Sequence, residues 1–170
     1  MPEEKPDEIL TATPSERKTS GGNFQFSFLE DERYLNSPAR EAIDKLNLKE
    51  LFETEAEKVA KDLEITQPLE IVVEIPPDDL EKNYIIEDLG IGAWTISEEH
   101  KVIFQLDPAN DNVLESLEKW QKQQVAHEIN HCARGEFYGE ETLLNALIFE
   151  GLAVNYEENW GDEPLKTPWG

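Results

Sequence analysis

The pentapeptide His127-Glu128-Ile129-Asn130-His131 constrains this chain more than any other stretch. Two imidazoles four positions apart share one face of an α-helix, about one turn apart, so both can reach a single metal ion. The glutamate between them projects from a neighbouring part of the surface, where a carboxylate can serve a metal-activated water. So short a pattern also arises by accident, and two histidines on a solvated or internally satisfied helix face are the competing, less favoured reading.

A second stretch bears on that choice. Leu143, Leu147, Glu150 and Val154 recur at helical spacing, which puts Glu150 on an otherwise apolar stripe expected to face the core. Burying an unpaired carboxylate costs on the order of several kcal/mol, so Glu150 should be protonated, paired with a cation such as Arg134, or bound to a metal. Zinc held by two imidazoles and one carboxylate keeps its fourth tetrahedral position for water, as catalysis requires. Structural zinc sites usually close with cysteines, and the chain has one, Cys132. It points about 100° away from His131 on a helix and reads as a small buried residue.

The rest of the chain supplies a scaffold. Residues 1–22, rich in Pro, Glu, Ser, Thr and Lys, read as a flexible acidic and polar tail, because they cannot bury enough apolar surface to offset their ordering entropy. NFQFSF, residues 23–28, alternates aromatic and polar positions like a short strand. From Ser37-Pro38 an amphipathic helix with a break near Asn47 is expected. LEIVVEI, residues 69–75, ends at Pro76-Pro77 and reads as a strand, followed by an acidic loop. GIGAWTI, 90–96, and KVIFQLD, 101–107, read as neighbouring strands of one sheet. Two helices follow, from about Asn112 to Arg134 and from about Glu141 to Glu158, separated by the turn-like GEFYGE.

Charge excludes some functions. Thirty-eight acidic against fifteen basic residues leave a net charge of −23, which repels nucleic acid and anionic membranes at long range. One cysteine allows no intrachain disulfide, the opening MPEEKPDEIL has no apolar signal-type run, and nothing approaches a membrane span of ~18 apolar residues. A cytoplasmic protein without nucleic-acid or membrane partners is therefore expected.

With His127-Glu128-x-x-His131 followed by Glu150-Gly151-Leu152-Ala153, the sequence resembles the gluzincins. Within them it looks most like a family of predicted zinc-dependent proteases whose pattern is HE-x-x-H and then a helix reading EGLA. The resemblance is strongest from about Gly92 to Glu158, and the step from His131 to Glu150 is similar to that of thermolysin-like enzymes. It implies one Zn2+ per chain held by His127, His131 and Glu150, with Glu128 as general base. It also implies that Gly92, Ala93 and Trp94 belong to the strand that pairs with an extended peptide; an ordinary edge strand with Trp94 in the core is the competing reading.

Two departures stand out. Thermolysin-like enzymes place an aspartate one turn after the third ligand to orient a histidine; here Val154 occupies that position, so the orienting carboxylate must come from elsewhere. The residues after Glu150 are too few for the large subdomain that usually supplies the transition-state stabiliser. Tyr138, Tyr156, Arg134 and His100 are candidates for that role; Tyr138 is best placed, Tyr156 should face away, and His100 reads as a surface residue.

The expected fold is α+β and zincin-like, a minimal metallopeptidase domain over residues 23–170. Its small mixed sheet has an edge strand packed on the HE-x-x-H helix, and a following helix carries the third ligand. The expected function is peptide-bond hydrolysis of a peptide or protein substrate by a metal-activated water. The alternative is a zinc-stabilised binding or regulatory domain of the same fold with little or no turnover.

Overall fold

The computed structural model describes residues 22–77, 84–134, 142–161 and 165–168. The tail assigned to residues 1–22 lies outside this set apart from Gly22, which opens the first strand.

Among the described residues four strands form one mixed sheet: β1 (Gly22–Phe26), β2 (Leu69–Glu74), β3 (Ile91–Ile96) and β4 (Lys101–Leu106). Their order is β1-β2-β4-β3. β2 runs parallel to both neighbours, Phe24 opposite Ile71 and Val72 opposite Ile103. A strand between two parallel partners is covered on both faces, which is why LEIVVE is a nearly continuous apolar run. β3 pairs antiparallel with β4, Trp94 opposite Ile103, and lies at the sheet edge.

The helices are α1 (Glu32–Leu35), α2 (Arg40–Lys45), α3 (Leu48–Asp62), α4 (Tyr84–Leu89), α5 (Val113–Arg134) and α6 (Leu143–Glu158). The break expected near Asn47 is there: Asn47 takes a left-handed conformation, φ 48°, and separates α2 from α3. Asparagine tolerates that region better than most residues. The acidic loop expected after β2 contains α4, whose Ile86 is buried over the sheet. Gly92 lies under it, and a Cβ there would sit 2.6 Å from Ile86 Cγ1, so the glycine permits this close approach.

α3 packs on α5, and α5 packs on both β3 and α6. Phe52 of α3 meets Phe104 of β4 edge to face, with ring centroids 4.8 Å apart. Such a pair adds about 0.5–1.5 kcal/mol beyond the area it buries. Around these rings Val59, Ile71, Val102, Val125 and Ile129 form the core.

α6 departs from expectation in its orientation. Leu143 and Leu147, two members of the stripe expected to face the core, are 77 % and 61 % exposed. Leu144, Ile148 and Leu152 are exposed as well, and Ala153 and Glu157 are the buried residues of the helix. The helix is apolar around most of its circumference, so its periodicity does not identify an inward face. No helix among the described residues is long and apolar enough to cross a membrane.

Candidate metal centre

The candidate site begins in the middle of the molecule. Every residue of α5 from Gln123 to Cys132 is buried, because the sheet edge, α3 and α6 enclose this part of the helix. His127 and His131 therefore project from a backbone that packing holds on all sides.

One turn apart on α5, their rings meet edge to face with Nε2 atoms 3.0 Å apart. Glu150 reaches this pair from α6, its Oε2 3.3 Å from His127 Nε2 and 3.5 Å from His131 Nε2. Glu150 is not buried as its place on the apolar stripe predicts: its side chain is 58 % exposed, and only the carboxylate turns inward. Arg134, the cation proposed as its partner, instead donates from Nε to Asn130 Oδ1.

The three facing atoms fit a metal. A tetrahedral ion with bonds of about 2.0–2.1 Å sets its ligand atoms about 3.3 Å apart. Electrostatics point the same way. Burial disfavours a charged His127, but Glu150 and Glu157 outweigh it and raise the ring to about 10. His127 and His131 hold the Glu150 carboxyl well below the usual carboxylate range. The carboxylates around the rings thus favour positive charge at this point, whether a proton or a cation carries it.

Glu128 lies beside the pair, buried, with burial pushing its carboxyl upward and the histidines and Thr95 partly opposing that. The Thr95 hydroxyl, on β3, stands 2.8 Å from Glu128 Oε2 and 2.9 Å from the carbonyl oxygen of the same residue. Having one hydrogen, it donates to one of them at a time. The strand expected to receive a peptide is thereby tied to the carboxylate expected to act as base. Cys132 is 2 % exposed, and burial raises its thiol to about 12.

α6 contributes two residues that sequence reasoning missed. Phe149 stacks on His131, centroids 4.2 Å apart. Glu157, fully buried, places Oε2 2.9 Å from His127 Nδ1, while its Oε1 accepts from the Thr167 hydroxyl at 2.5 Å. Two full turns separate Glu150 from Glu157, so both lie on one helix face; that spacing was the available signal.

Among the suggested stabilisers, Tyr156 donates to Asp62 on α3, so its hydroxyl is engaged there. Tyr138 lies outside the described residues.

A family model described as predicted Zn-dependent protease, DUF2268, matches residues 51–169. The chain belongs to that family. The match takes in β2 to β4, α5 and α6, hence every residue of the cluster. No curated protein and no solved structure matches the chain. The DUF2268 description agrees with a zinc site, and His127, His131 and Glu150 are the group of potential ligands that the described residues bring together.

Proposed function

We propose that this chain is a zinc-dependent peptidase of gluzincin type, with a zincin-like arrangement of edge strand, HE-x-x-H helix and third-ligand helix. The observation that carries the reading is the convergence of His127 Nε2, His131 Nε2 and Glu150 Oε2 at 3.0–3.5 Å beside a buried Glu128. Those three atoms would hold Zn2+. When bound, zinc supplies a Lewis acid that polarises the scissile carbonyl and makes water more acidic.

The chain's own residues do the rest. When Thr95 gives its hydrogen to Glu128 Oε2, Oε1 is left to take a proton as water adds to the carbonyl carbon. The same oxygen returns the proton to the leaving nitrogen as the C–N bond breaks. A carboxyl raised by burial suits both transfers, because its pKa lies nearer the working pH than that of a solvated glutamate. β3 is an edge strand, and the backbone at Gly92, Ala93 and Trp94 is where an extended peptide would add to the sheet.

One observation favours the second reading, a zinc-stabilised binding domain with little turnover. The exposed Leu143, Leu144, Leu147 and Ile148 make an apolar surface of the kind that contacts other proteins. Metal analysis combined with chelator-sensitive cleavage of an unfolded protein separates the two. Glu128→Gln should keep its zinc and lose about 10²–10⁴-fold in kcat. A wild-type protein without zinc, or a Glu128→Gln variant cleaving at the wild-type rate, would reject the peptidase reading.

A further inference from the structure

Glu157 is the least exposed carboxylate among the described residues, at 0 %, yet it belongs to α6, most of which faces solvent. Stability gives little reason for it. A buried charge loses its hydration, and an apolar side chain of similar volume commonly serves a fold as well or better. Its contacts give a chemical reason: His127 Nδ1 on one oxygen and the Thr167 hydroxyl on the other.

We propose that Glu157 is a positioning residue for the metal centre and that Thr167 fixes its carboxylate, so metal affinity depends on a contact from residues 165–168. This rests on the zinc reading above. A carboxylate facing Nδ1 keeps the ring hydrogen on that nitrogen, which turns the Nε2 lone pair toward Glu150 and His131. The Thr167 hydroxyl gives its one hydrogen to Oε1, which orients the carboxylate plane and leaves Oε2 for the ring. If Glu157 turned away or lost its charge, the ring hydrogen could move to Nε2, where it would block ligation.

The segment that carries Thr167 is anchored to α6 itself. Leu165 N–H donates to the Glu158 carbonyl at 2.8 Å, and its side chain packs against the core. Thr167 is 7 % exposed, so water competes little for its hydroxyl. Neither Nδ1 makes a hydrogen bond of full geometry, but Glu157 Oε2 lies 2.9 Å from that of His127, whereas no carboxylate among the described residues pairs with that of His131, whose ring Phe149 holds by stacking. The two histidines are therefore unequal, and the effect falls on His127.

The test is zinc titration against a chromophoric chelator, with the melting temperature of the metal-free protein measured alongside. Glu157→Gln should weaken zinc binding about 10–100-fold. Thr167→Val should weaken it in the same direction by a smaller factor, and Thr167→Ser should restore it. A merely structural role would lower the metal-free melting temperature and leave zinc affinity unchanged. Wild-type affinity in both Glu157→Gln and Thr167→Val would overturn the proposal; should Glu157→Gln not fold, Thr167→Val decides alone. A wild-type chain that binds no zinc is a different result, since it removes the reading underneath.

Discussion

α5 and α6 supply the cluster from opposite surroundings. On α5 an unbroken run from Gln123 to Cys132 is buried, and both histidines and Glu128 fall within it. On α6 the buried residues are Ala153 and Glu157, and large aliphatic side chains face outward from Leu143 to Leu152. The proposed three-ligand site would need its side chains fixed in direction, and packing does that on α5. On α6 it is done by a few contacts back to α5: Glu150 to both rings, Phe149 to His131, Glu157 to His127. One helix sets the geometry of the site and the other closes it.

Shortening an aliphatic side chain should cost far more on α5 than on α6. Ile129, 0 % exposed on α5, should cost about 2–5 kcal/mol as Ile129→Ala. Leu147→Ala on α6, where Leu147 is 61 % exposed, should stay within about 0.5 kcal/mol in denaturant unfolding. Comparable losses would mean that α6 carries a hidden share of the fold.

Hydrogen exchange sharpens the same contrast. Elements held by few buried contacts open most readily, so α6 amides should exchange faster than those of the central turns of α5 in metal-free protein. Zinc at about 100 times its dissociation constant should slow α6 by up to about 100-fold. An equal gain across both helices would show that they open together.

The smallest effect concerns the base on the fixed helix. Thr95 donates to Glu128 and so favours its charged form; without that donor the carboxyl, already raised by burial, should rise further. On the proposed mechanism Glu128 takes the proton in its ionised form, so the acid limb of kcat/KM in Thr95→Val should move to higher pH, with a loss of about tenfold below it. An unmoved limb would detach Thr95 from the base.

How much of this was legible in sequence depended on whether the signal was local. α5 begins within a residue of the expected Asn112 and covers the expected stretch to Arg134, and the break at Asn47 and the adjacency of β3 and β4 in one sheet also stand. Each of these follows from nearby residues: a turn-forming asparagine, two β-rich runs with a short link, a long periodic stretch. α6 was placed correctly and turned wrongly, because leucines around most of a helix carry no direction. Glu150 was chosen by an argument from burial, although it reaches the histidines from an exposed position. α4 was hidden in an acidic stretch read as a loop. Thr95, Phe149 and Thr167 acquire their roles through contacts that join separate elements, and no local pattern marks them.

The burial of Cys132 has a practical consequence. With its thiol 2 % exposed and pushed up by burial, little of it ionises at the pH of ordinary labelling reactions. For labelling chemistry the folded chain behaves as if it had no cysteine. A cysteine introduced at an outward position of α6, Leu147→Cys for example, would be the one reactive handle. A dye attached there could follow the closing helix with the native thiol left in place.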